Sequence, residues 1–306
     1  MSRPAARSIA DYLQRLRESL AGEDPALIQD ASYDAEEYLR AEIAAHPDKS
    51  EADVLELIAS TYGAPDEVAA AYRDTEAKVK AALQPAMPRA PAAPSLARSF
   101  FGVFLDPRAY LSLFYMLLAL ITGIVYFVLV VVGLSFSAGL AVLIIGVPFF
   151  LAFVAMTRVI SMGEGRLLEA VSGERMPRRP LHPGPPAAWW SRIGAMLMDA
   201  RTWTTLAYLI VMLPLGILYF VIAVVGLSLG LSFTAAPIVD IAQRLGLLDG
   251  RVSVYGPAMP GWIASPVGDV LLFVLGLLVV TLLMHTARGT VRMHARMAKS
   301  LLAKAA

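Results

Sequence analysis

Gly226-Leu227-Ser228-Leu229-Gly230 has the G-x-S-x-G spacing of a nucleophile elbow. That motif presents a serine hydroxyl for acyl transfer from a sharp strand-to-helix turn, with Asp/Glu and His as partners. Here it falls at the end of a long apolar run, and the related segment at 133–137 ends in Ser137 instead of glycine. Gly226 and Gly230 also form a G-x-x-x-G pair, so the spacing fits close helix packing better than catalysis. Glu42 and His46 share a helical face, but two ligands do not make a metal site. The sequence has no phosphate-binding loop, H-E-x-x-H or Gly-rich nucleotide fingerprint, and it has no cysteine. No catalytic residue, cofactor or metal is expected, and the chain reads as a non-enzyme.

The remaining polar candidates come in pairs, because the chain repeats itself. GIVYFVLVVVGLS at 123–135 returns as GILYFVIAVVGLS at 216–228, an offset of 93 (216 − 123). Extended back to Asp106 and Asp199, the match holds 15 identities in 30 positions. Shared apolar composition cannot place Asp106/Asp199, Arg108/Arg201, Tyr115/Tyr208 and Tyr126/Tyr219 at one offset, so this is a duplicated unit. Tyr126 and Tyr219 could line a cavity at a pseudo-symmetry axis as ligand-facing phenols, or act as interfacial or packed aromatics. Asp106 and Asp199 stand where N-caps are expected. Gly123, Gly133, Gly216, Gly226 and Gly230 are the candidate helix-packing positions, expected mainly between the two repeated spans. His285, at the end of the last apolar run, reads as a boundary residue, with a pH-sensing role as the alternative.

Positioning such pairs requires membrane helices. The chain is 57% hydrophobic with a mean hydropathy of +0.61, against about 45–50% apolar in soluble proteins. Apolar runs at roughly 109–133, 138–158, 203–227 and 267–286 are long enough to cross a bilayer. Net charge divides the chain: residues 1–80 hold 17 Asp/Glu and 9 Lys/Arg, net −8, and the remainder is net +9. The basic residues flanking the runs predict a multi-pass protein of the cytoplasmic membrane with both termini and the 159–202 loop inside. The expected fold is all-α. A small cytoplasmic helical bundle (1–82) and a Pro/Ala-rich linker (83–98) precede a four-span membrane domain of two parallel hairpin repeats. Repeat 1 covers 99–176, a Pro-rich cytoplasmic loop 177–188, and repeat 2 covers 189–306. Repeat 2 carries an insertion at 229–266, broken by Pro237 and charged at Asp240 and Arg244, read as extracytoplasmic or partly re-entrant.

The head shows helical spacing at Ile9, Tyr12, Leu13, Leu16 and Leu20, and again at Val54, Leu55, Ile58 and Tyr62. Gly63 and Pro65 fit a helix end followed by a first-turn proline. ADYLQRLRESL, the acidic second helix ending in Ala-Ala-His, and SEADVLELIASTYGAPDEVAAAYR resemble a HAAS domain, a short α-helical signalling module, over about residues 1–76. That resemblance implies a cytoplasmic head on a membrane protein, of a kind often encoded beside PadR-like transcriptional regulators, which makes such a regulator a candidate partner of residues 1–82.

DPRAYLSLFY…GIVYFVLVVVGLS, IIGVPFF, RLLEAVSG and ARTWTTLAYLIVMLPLGILYFVIAVVGLS resemble the sensor domain at the N-terminus of many actinobacterial sensor histidine kinases. The resemblance covers about residues 100–300 and implies membrane signal reception. Gly163-Glu164-Gly165 departs from the regular helix expected there, and no kinase segment follows. The expected function is a non-enzymatic membrane sensor, embedded in the lipid bilayer, that relays an envelope, lipid or small-molecule cue through residues 1–82. The alternative is a small transporter or lipid-handling protein. So acidic a head is a poor direct ligand for nucleic acid, and homo-oligomerisation is left open.

Overall fold

The computed structural model describes residues 6–83, 100–141, 145–176, 194, 197–248, 255–256 and 260–302. These residues form eight α-helices and no strand. The 83–98 linker, apart from Leu83, and the 177–188 loop lie outside the described residues.

The head comprises α1 (Ile9–Ser19), α2 (Pro25–Ala45), α3 (Glu51–Thr61) and α4 (Pro65–Leu83). Ser8 caps α1 by accepting from the Asp11 amide at 3.2 Å, and Ser50 caps α3 through Asp53 in the same way. Gly63 turns the chain at φ +106 between α3 and α4, and its carbonyl accepts from the Tyr12 hydroxyl at 2.9 Å. Leu13, Leu16, Ile28, Leu39, Val54, Ile58 and Val68 close one core. Val79, although apolar, is exposed on α4.

The body comprises α5 (Pro107–Leu140), α6 (Gly146–Ser172), α7 (Ala200–Arg244) and α8 (Pro266–Leu302), each long and apolar enough to cross a membrane. A 3-10 turn at Gly102–Leu105 leads into α5. Asp106 and Asp199 begin α5 and α7, accepting from the amides of Arg108 at 2.9 Å and Arg201 at 3.0 Å. Residues 134–137, between the first two apolar runs, continue α5. The Ser137 hydroxyl there donates to the Gly133 carbonyl at 2.7 Å.

The expected insertion at 229–266 is also corrected. Its first sixteen residues, 229–244, are the last turns of α7, neither re-entrant nor a separate loop. Pro237 is absorbed because that stretch packs on α8, with Gly230 against Val280 and Gly276 against the backbone of Thr234. Arg244 closes the tip by pairing with Asp240 at 2.6 Å and Asp269 at 3.5 Å. At 45 residues α7 is about 67 Å long, more than twice the ~30 Å of a hydrocarbon core.

The parallel relation expected between the two hairpins is not found. Gly133 packs under Phe153, so Arg158, five residues on, lies beside the second half of α5. Arg158 pairs there with Asp199, the first residue before α7, at 3.3 Å. Conversely, Gly226 packs under Leu283, placing Arg288 beside the middle of α7, and Arg288 pairs with Asp106 before α5 at 3.1 Å. Val103 and Ala109 pack on Met284 at that same level. The starts of α5 and α7 therefore lie at opposite ends of their contact, and the two helices run antiparallel.

The packing glycines are corrected in part. Gly123 meets the backbone of Met212 and Leu213, and Gly216 meets that of Ala119 and Leu120. Those two sites hold α5 against α7. Gly133, Gly226 and Gly230 serve the contacts of α5 with α6 and of α7 with α8. Small residues admit a neighbour's backbone at the first contact and a large side chain at the second.

Two outcomes are expected. Single cysteines at exposed Gly139 and Gly256, in this cysteine-free chain, lie at opposite ends of the body. An impermeant thiol reagent applied to intact cells should label one and spare the other; labelling of both would restore the parallel arrangement. In a denaturing-detergent titration, Gly216→Ala should destabilise by about 1–3 kcal/mol, because the added carbon meets the Ala119 carbonyl. Gly226→Ala meets only the end of the Leu283 side chain, and its effect should be clearly smaller.

Candidate functional site

Tyr115 and Tyr126 are eleven residues apart, about three helical turns, so they share a face of α5 roughly 16 Å apart along the axis. Long phenols spaced this way can lean toward a common point between them. Glu164 of α6 occupies that point. Its Oε1 accepts from the Tyr115 hydroxyl at 2.6 Å and its Oε2 from the Tyr126 hydroxyl at 2.8 Å. Glu164 is 2% exposed.

The equivalent pair on α7, Tyr208 and Tyr219, brackets His294 of α8. The hydroxyls lie 3.1 Å from Nε2 and 3.2 Å from Nδ1, and His294 is 1% exposed. The two sets touch. The Tyr115 ring lies against His294 with centroids 5.8 Å apart, and the Tyr208 hydroxyl also faces Glu164. Four phenols, a carboxyl and an imidazole thus form one polar centre inside the apolar body. Leu168, Leu206, Leu209, Met212 and Val291 close around it.

The sequence singled out Tyr126 and Tyr219 as cavity-lining residues. The structure brings both into this centre, where their hydroxyls bond to buried side chains. Glu164 and His294 were missed. Gly163-Glu164-Gly165 read as an interruption, yet α6 is unbroken through it to Ser172. Two interior glycines cost about 1 kcal/mol each relative to alanine, and the packing of α6 outweighs that. Gly173 then ends the helix in the left-handed conformation at φ +74.

A signal for the pair was present at a second offset. Arg158, Glu164 and Arg166 recur as Arg288, His294 and Arg296, an offset of 130 (288 − 158). Phe153 and Leu283, which cover Gly133 and Gly226, share it. The spacing from α6 to α8 is therefore larger than that from α5 to α7, lengthened by the extra turns of α7 and the connection to α8.

Other expected positions play supporting parts. Asp106 and Asp199 combine their amide bonds with the Arg288 and Arg158 ion pairs. His285 contacts the Phe100 carbonyl at 2.9 Å and stacks on its ring. Ser228 lies within regular α7, without the strand-to-helix turn a nucleophile elbow needs. The His46 ring faces the Glu42 carbonyl at 3.0 Å, and no metal-binding group of His, Cys, Asp or Glu occurs among the described residues.

Past the polar centre, α6 and α8 run in opposite directions, and residues that follow Glu164 on one and His294 on the other both reach the head. Arg175, just past α6, pairs with Asp30 at 3.0 Å and with Glu76. Lys299 of α8 pairs with Asp24 at 2.5 Å, and Arg201 reaches Gln29 at 3.5 Å. Residues 26–32 of α2 are buried on every side, one face in the head core and the rest under these contacts. Tyr72 donates to Asp34 at 2.9 Å; burial pushes its phenol above the ordinary range, so it stays a donor.

No curated protein and no solved structure matches the chain. The family described as "Putative sensor" matches residues 115–302, from the first tyrosine of the polar centre to the end of α8. That span is more than half of the chain, which therefore belongs to this sensor family.

Proposed function

We propose that this protein is a non-enzymatic membrane sensor that relays a cue from its helical body to a cytoplasmic partner through the head. One observation carries the reading: the residues that hold the head continue the helices that build the polar centre. Arg175 stands just past the end of α6, eleven residues after Glu164, and Lys299 follows His294 by five along α8. A cue that repacks these helices displaces the basic groups on which Asp24, Asp30 and Glu76 rest. The head then exposes an acidic face that was previously covered by the body's own arginine and lysine. A basic surface on a regulator is the complementary partner, and its association should weaken with salt.

The HAAS resemblance of residues 1–76 supports a PadR-like regulator as that partner. The body is read as two duplicated hairpins, α5–α6 and α7–α8, placed back to back. The reciprocity of Gly123 with Met212 and Gly216 with Ala119 supports this, since 119 and 212 are themselves equivalents at the offset of 93.

A small transporter is the second reading, and two observations favour it. Buried ionisable groups at the junction of two oppositely directed repeats are where transporters place substrate and coupling sites. The body reconstituted in vesicles separates the readings, because a transporter moves a labelled cargo or protons without the head.

Arg175→Glu should release the head. Breaking a largely buried ion pair costs about 3–5 kcal/mol, so amide hydrogen exchange across residues 26–32 should accelerate by orders of magnitude. Exchange in α5 and α7 should stay slow. The swap Arg175→Asp with Asp30→Arg should restore part of the protection. Unchanged exchange in Arg175→Glu would contradict the reading.

A further inference from the structure

The polar centre can hold a proton in more than one place without losing a hydrogen bond. A phenol donates one proton and accepts at its oxygen; a neutral imidazole donates from one nitrogen and accepts at the other; a carboxylate only accepts. With His294 protonated, both ring nitrogens donate, to Tyr208 and Tyr219, and the Tyr208 proton turns toward Glu164. With His294 neutral, Tyr208 donates to Nε2 while Nδ1 still donates to Tyr219, and Glu164 carries the proton that the ring has lost and donates it to the Tyr208 oxygen. Both arrangements use the same heavy atoms.

The groups in contact with the pair come from all four helices: Tyr115 and Tyr126 of α5, Glu164 itself on α6, Tyr208 and Tyr219 of α7, and His294 on α8. The neighbouring cations are engaged elsewhere, Arg158 with Asp199, Arg288 with Asp106, and Arg175 and Lys299 with the head. A net charge left inside the centre is therefore uncompensated and costs several kcal/mol. Gain or loss of one proton by the pair must be answered by repacking.

We propose that Glu164 and His294, bridged by Tyr208, form a proton-binding pair whose occupancy sets the packing of α6 and α8. This rests on the sensor reading and names its cue as protonation of the body's interior. The two sites titrate as one coupled unit, so a change at either shifts the behaviour of both.

The test uses the full chain in nanodiscs, titrated from about pH 4 to 9, which spans the ordinary carboxyl and imidazole ranges. Infrared difference spectra report the carboxylic C=O stretch, and amide exchange of residues 26–32 reports head docking in the same samples. A carboxyl band should titrate in the native protein and vanish in Glu164→Gln. His294→Gln should move its midpoint by about one pH unit or more, the coupling that defines such a pair. In the Tyr208→Phe background the same histidine substitution should move it far less. That difference separates a proton bridge from a merely structural tyrosine, and Tyr208→Phe keeps the test open should Glu164→Gln misfold. Head exchange should follow the band's midpoint. A Glu164 band that never titrates, or one that titrates while head exchange stays flat, overturns the proposal. In both cases the sensor reading stands or falls separately on Arg175→Glu.

Discussion

Burying a carboxyl and an imidazole inside an apolar body is the constraint on which the rest of the structure depends. Neither group is tolerated there without partners. Glu164 needs donors on both oxygens, and His294 needs partners on both nitrogens. Each requirement is met by two tyrosines three turns apart on one helix. The two sets meet, the Tyr115 ring against His294, because α5 and α7 lie almost backbone to backbone. Gly123 and Gly216 permit that approach, and no larger residue could occupy either position without moving the neighbouring chain. Packing at the glycines and polarity at the centre are thus two sides of one solution.

The ends of the body follow the same economy of reuse. Asp106 and Asp199 each terminate a helix by accepting from its first amides, and each also takes an arginine from the other hairpin. Those cross-pairs set the direction of α5 against α7. The head completes the scheme. It is acidic where the body is basic, and α2 is sealed against the helices that bear Glu164 and His294.

Much of this was legible in the residues. Apolar runs announced four membrane-length helices, and the repeat at 93 announced the paired tyrosines and capping aspartates. Spacing and turn chemistry gave the head helices. The direction of the second hairpin was not legible, because counting Lys and Arg around loops weighs membrane sidedness and contains nothing of helix contacts. The extent of α7 was hidden by Pro237 and Asp240, which read as breakers until packing on α8 and the Arg244 pairs were known. Glu164 and His294 were hidden for a subtler reason. They are equivalent only at the offset of 130, and they differ in chemical type. A search for identical residues at one spacing passes over both.

The central claim is that the state of the polar centre decides whether the head is docked. Distances between spin labels on exposed Glu37→Cys of α2 and Met293→Cys of α8 test it most directly. Arg175→Glu in the same labelled chain marks the released distance. Tyr115→Phe with Tyr208→Phe, which disturbs the centre and touches none of the head contacts, should move the distribution toward that released distance. A distribution identical to that of the undisturbed chain would contradict the account.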